Sequence, residues 1–98
     1  MATRDQIFNG KLPVWQPEKS QGYRFNIDSL LLAGFVLRTL KPTSSLCELG
    51  SGSAVIGLAL LYHRTGLSYH GIERQAELVA LSRRSLEEAG YDERAEVS

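Results

Sequence analysis

The sequence has 98 residues, 43% apolar and 22% charged, the profile of a single globular domain near the lower end of comfortable size. Eleven Lys and Arg balance eleven Asp and Glu, so a zero net charge gives no support for gripping nucleic acid through charge alone. The single cysteine, Cys47, excludes an internal disulfide, and no metal-ligand spacing surrounds it or the isolated His63 and His70.

The first residues lead to no apolar core of signal-peptide length, and the longest apolar run, 30–37, is far shorter than the ~20 residues of a membrane span. The expectation is a cytoplasmic chain with no membrane partner, in which Cys47 is a buried core thiol. Residues 7–16 read as one short extended element, and 16–22 as a polar loop. Asp28 reads as the N-cap of a helix running to about residue 40 and stopped by Pro42. That helix is apolar nearly all round, so it is expected to be largely buried.

Residues 45–49 form a short apolar run bounded by Ser and Gly, suited to a buried parallel strand. A helix over 54–64 follows, capped by Ser53 or a neighbour, then a strand over 68–73. A third helix over 75–89 closes at Gly90, and 94–98 begin another strand. The expected fold class is α/β, the βαβαβ half of a doubly wound parallel sheet. The chain reads as one domain over 1–98, with an N-terminal extended segment (1–27) and a ligand-binding half (28–98).

The chemistry concentrates in Glu48-Leu49-Gly50-Ser51-Gly52-Ser53-Ala54-Val55-Ile56-Gly57, between a strand and a helix. Glycines 50 and 52 let the backbone turn sharply and approach a ligand closely, and the following helix aims unpaired N–H groups at it. A dinucleotide fingerprint needs a third glycine where this chain has Val55, so that pattern fails. Gly57 comes next instead, and the acid Glu48 sits two residues before Gly50. This arrangement is similar to the first motif of S-adenosylmethionine (SAM) methyltransferases, whose ligand has no pyrophosphate but carries an ammonium that Glu48 can attract. Glu73 lies 23 residues beyond Gly50 at the end of the next strand, where a carboxylate can accept from two ribose hydroxyls. The cofactor-binding candidates from the turn and strand are therefore Glu48, Gly50, Ser51, Gly52 and Glu73.

With its upstream segment the chain resembles a narrower family. Gln16-Pro17, then Gly22-Tyr23-Arg24-Phe25-Asn26-Ile27-Asp28-Ser29-Leu30-Leu31-Leu32-Ala33, then Glu48-Leu49-Gly50-Ser51-Gly52, look like the N-terminal half of the tRNA adenine N6-methyltransferases that modify valine tRNA. The resemblance implies a Rossmann-like class I methyltransferase sheet, SAM as cofactor and tRNA as partner. It also implies that the loop over 23–28 closes on the methionine end of SAM, which adds Arg24, Phe25 and Asp28 to the cofactor-binding candidates.

Two departures matter. Relatives carry glycine where this chain has Ala54, a substitution that costs about 1 kcal/mol or more if φ is positive there. The family's Asn-Pro-Pro-Tyr acceptor motif is absent, and no Asn-Pro or Asp-Pro dipeptide occurs anywhere, so no catalytic residue is assigned. The expectation is a truncated methyltransferase half whose strand over 45–49 presents an unpaired edge, inviting self-association. Three alternatives remain: a SAM-binding module or inert fragment, a class I methyltransferase with a glutamine or another RNA base as acceptor, and, more distantly, a dinucleotide-dependent oxidoreductase.

Overall fold

The structure, a computed structural model, describes residues 2–8, 10–18 and 27–98. Two strands, β1 (Thr3–Ile7) and β2 (Leu12–Gln16), pair antiparallel, with Thr3 opposite Gln16 and Ile7 opposite Leu12. The single extended element expected over 7–16 is therefore corrected to the second half of a hairpin. Phe8 and Gly10 take φ of +54° and +81°, and the Lys11 N–H donates to the Phe8 carbonyl, which reverses the chain. The Asn9-Gly10 dipeptide was the signal for this turn.

Helix α1 (Ile27–Leu37) is followed by β3 (Ser45–Leu49), α2 (Val55–His63), β4 (Ser68–Ile72), α3 (Ala76–Ala89) and β5 (Ala95–Val97). The three later strands form a parallel sheet in the order β3-β4-β5, the expected βαβαβ unit. Right-handed crossovers place α2 and α3 on one face of this sheet. Leu46, Glu48, Tyr69, Gly71 and Val97 point to that face, and α2 lies there with Leu58, Leu60 and Leu61 fully buried. Gly90 closes α3 at φ +82°, with the Tyr91 N–H donating to the Leu86 carbonyl. The Arg94 guanidinium donates to the carbonyls of Leu61, Arg64 and Leu67, which satisfies the C-terminal end of α2.

The hairpin docks on the outside of this unit. The Trp15 N–H donates to Ser85 Oγ and its indole N–H to Glu88, while the Arg84 guanidinium lies 3.6 Å from the centre of the Trp15 ring. Arg4 pairs with Glu88, and Phe8 stacks on Tyr62 at the end of α2.

Two burial expectations are overturned. Helix α1 is not largely buried: Ala33 alone is fully enclosed, while Ile27, Leu31 and Phe35 are each 65% exposed. It packs one face on α2, and among the described residues nothing covers the other. Cys47 is likewise exposed, not a core thiol, because it points to the opposite side of the sheet, with Leu49 and Ile72. The helix also stops at Leu37, before residue 40, and Asp28 lies within its first turn and not before it.

Candidate functional site

The site forms where β3 ends and α2 begins. Gly50, Gly52 and Ala54 all have positive φ, +67°, +58° and +61°, so the chain makes a tight, left-handed loop before the first helical residue, Val55. The N-cap of α2 is Ala54, the neighbour of Ser53, and no side-chain hydrogen bond caps the helix. The loop is held from three sides. The N–H groups of Gly50 and Ser51 donate to the Ile72 carbonyl at 2.7 and 3.1 Å, which ties the turn to the end of β4. The Gly52 N–H donates to Glu73 Oε1 at 2.9 Å, and the Gly52 carbonyl accepts from Ser82 Oγ of α3 at 2.8 Å. Glu73 Oε2 accepts in turn from the Gln75 N–H at 2.8 Å. One carboxylate thus links the glycine turn to the start of α3.

A cleft of about 280 Å³ opens above this turn, lined on its polar side by Ser29, Glu48, Ser51, Ser53, Glu73 and Gln75, with Gly50 and Gly52 at its floor. Of the sequence candidates, Glu48, Gly50, Ser51, Gly52 and Glu73 are brought together here. Asp28 is exposed on the first turn of α1 and does not line the cleft, although its neighbour Ser29 does. Arg24 and Phe25 lie outside the described residues.

Glu48 is half-buried on the inner face of β3 and accepts from the Tyr69 hydroxyl at 2.5 Å. Burial pushes its carboxyl above the usual carboxylate range, and the Tyr69 hydrogen bond only partly opposes that. Burial, with Glu48 beside it, also raises Tyr69, so the phenol stays protonated and remains a donor.

Several residues at the site were not among the binding candidates read from the sequence, Tyr69, Ser53 and Ser82 among them. Tyr69 fills a slot between Gly57 and Gly71: a Cβ on Gly57 would lie 2.4 Å from its ring, and one on Gly71 2.9 Å from its hydroxyl. A large side chain in register with small ones across a strand–helix packing was the available signal. Among the described residues the buried hydroxyls of Ser51 and Ser53 find no partner, and Ser82 reaches the turn from a helix 30 residues away. Gly57, first read as part of the ligand turn, instead makes room for Tyr69. Val55 is buried at the position where a dinucleotide site carries its third glycine for close helix–strand packing.

No family model matches the sequence, and no curated protein does. Solved structures do. The crystal structure of YjhP from Escherichia coli superposes with a TM-score of 0.65 at 28% identity, over 83% of this chain and 32% of that one. A SAM-dependent methyltransferase from Geobacter sulfurreducens, in complex with S-adenosyl-L-homocysteine, gives 0.65 at 22% identity, over 82% of this chain and 32% of its own. A putative protein-L-isoaspartate O-methyltransferase from Plasmodium falciparum, also with S-adenosyl-L-homocysteine, gives 0.61 at 17% identity, over 79% and 43%. The chain spans about a third of the length of the first two. Its α/β fold, with the parallel βαβαβ unit, matches part of the Rossmann-like class I methyltransferase fold.

Proposed function

We propose that this chain is the SAM-binding part of a methyltransferase, with Glu48, Gly50, Ser51, Gly52 and Glu73 as its cofactor-binding residues. One observation carries the reading. Among the described residues, the cleft lining holds two carboxylates, Glu48 and Glu73, and no lysine or arginine. Such a lining repels a pyrophosphate and favours a ligand that presents an ammonium and a diol. The N–H groups at the start of α2, which has no side-chain cap, add donors at the same place.

Bound there, SAM would supply an electrophilic methyl on an already activated sulfonium. The protein's contribution is then mainly positioning. Glu48 would hold the ammonium and Glu73 the ribose hydroxyls, while Arg24, Phe25 and Asp28 would close over the methionine end, the last three by family resemblance. The same resemblance, carried by Gly22-Tyr23-Arg24-Phe25 and Asp28-Ser29-Leu30-Leu31-Leu32-Ala33, favours an adenine amine of tRNA as the acceptor of the complete enzyme. No acceptor motif of the Asn-Pro type occurs in these 98 residues, so this segment by itself binds cofactor and does not transfer the methyl group.

Calorimetry with S-adenosyl-L-homocysteine, and with NAD as the competing ligand, tests the reading. Binding of the first and not the second is expected. Glu73→Ala should weaken it by about 1–3 kcal/mol, the range for hydrogen bonds to a charged group. Preference for NAD, or unchanged affinity in the variant, would overturn it.

A further inference from the structure

Glu48 does not set its own position. It sits near the end of an edge strand, and its Oε1 accepts a single short hydrogen bond, from a tyrosine on the neighbouring strand. The parallel register places Glu48 beside Gly71 and Leu46 beside Tyr69, so the tyrosine reaches diagonally along the inner face. It can do so because two glycines clear its path. A Cβ on Gly57 would collide with the ring at 2.4–2.7 Å, and a Cβ on Gly71 would meet the Tyr69 hydroxyl at 2.9 Å and Ser51 Oγ at 2.8 Å. Tyr69 itself is 3% exposed and does not line the cleft.

We propose that Tyr69 is a positioning residue for ligand recognition: through the slot between Gly57 and Gly71 its hydroxyl fixes Glu48 by Oε1 and leaves Oε2 to receive the ligand's ammonium. The inference rests on the cofactor reading above for the identity of the cation, but not for the effect of Tyr69 on Glu48. A phenol that donates to a buried carboxylate favours its charged form, which is the form that attracts a cation. Among the described residues, the other titratable groups around Glu48 are few. Glu73, just beyond β4, lines the same cleft; Asp28 lies on the first turn of α1 and Glu77 on that of α3, both exposed. The first turn of α2 (Val55, Ile56, Gly57) carries none, and Cys47 points to the opposite face of the sheet. Among the described residues, no basic side chain lines the cleft to take over the role of the phenol.

The test compares Tyr69→Phe with the parent chain. Phenylalanine keeps the ring that fills the slot and removes only the donor. Affinities for S-adenosyl-L-homocysteine and for adenosine, which lacks the ammonium, are measured from pH 5 to 8. At pH 7 the ratio of the two affinities should fall about tenfold in the variant. The acid limb of S-adenosyl-L-homocysteine binding should move to higher pH, because Glu48 loses the donor that favours its ionised form. Adenosine binding should keep its pH profile. Separately, the carbon-13 resonance of the Glu48 carboxyl in the ligand-free chain should titrate at higher pH in Tyr69→Phe. An unmoved Glu48 titration would overturn the role of Tyr69 whatever the ligand. A shifted titration with no binding of either compound by the parent chain would instead overturn the cofactor reading, and with it the ammonium assignment. A ratio unchanged between parent and variant would show that Glu48 does not depend on Tyr69 for recognition.

Discussion

At the scale of single residues, the site combines two kinds of local strain. Ala54 holds φ +61°, a conformation in which the Cβ of an L-residue crowds the following carbonyl oxygen. Relief of about 1–2 kcal/mol on substitution by glycine exceeds the loss of one buried methyl, about 0.8 kcal/mol. Ala54→Gly should therefore raise stability by up to about 1 kcal/mol, a Tm increase of about 4–8 °C for a chain of this size. A lower Tm would show that the position stores no strain. Glu48 carries the second burden, a carboxylate driven up by burial. An acid whose folded-state pKa exceeds its unfolded value binds more protons when folded, so stability falls as pH rises from the unfolded pKa to the folded one and stays lower above it. Glu48→Gln should remove that decline and be the more stable protein at pH 7, while losing affinity for a cationic ligand. Urea denaturation at pH 4 to 8 reads this directly. Parallel stability curves for the two proteins would refute it.

At the scale of elements, the glycine turn is legible in the sequence but its rigidity is not. Gly50 and Gly52 announce a strand-to-helix turn through spacing alone, and Glu73 announces itself by its distance from them. What holds the turn is scattered: the Ile72 carbonyl on β4, the Glu73 carboxylate after it, and Ser82 in the middle of α3. Serine within a helix reads as a neutral choice, and only packing reveals that its hydroxyl reaches another segment. The packing of α2 on β4 has the same character. Gly57→Ala adds a methyl inside the Tyr69 ring and should cost about 1–3 kcal/mol, the range for overpacking. In a Tyr69→Ala background the same substitution should cost markedly less, a coupling that a double-mutant cycle by denaturant unfolding measures. Additive effects would mean that ring and glycine do not compete for the same space.

At the scale of the whole molecule, the parallel sheet is covered on one side among the described residues. β3 lies at its edge, and Cys47, Leu49 and Ile72 face away from the helices, with Leu49 79% exposed. The outer side of α1 adds Ile27, Leu31, Leu32 and Phe35 to the exposed apolar surface. An unpaired strand edge beside exposed apolar side chains favours association. The 98-residue chain is expected to sediment well above its 10.9 kDa monomer mass at micromolar concentration. A well-folded monomer in sedimentation velocity would show that this surface is tolerated. No helix among the described residues is long and apolar enough to cross a membrane.

The sequence by itself determined the βαβαβ order, the place of the glycine turn and the two carboxylates that face it. Each of these is written in local periodicity or in a spacing fixed by one strand and one helix. The tertiary structure alone decided which apolar residues are buried. Helix α1 and β3 are apolar enough to be core, yet burial depends on a partner element, and among the described residues each finds one on a single side. It also decided that Glu48 is held by Tyr69 and that Gly57 serves this contact and not the ligand, because a cross-strand reach depends on register and on the space left by residues far apart in sequence. The N-terminal hairpin falls between the two. Its turn was written at Asn9-Gly10, but its docking on α3 through Trp15, Ser85 and Glu88 exists only once the helix is in place.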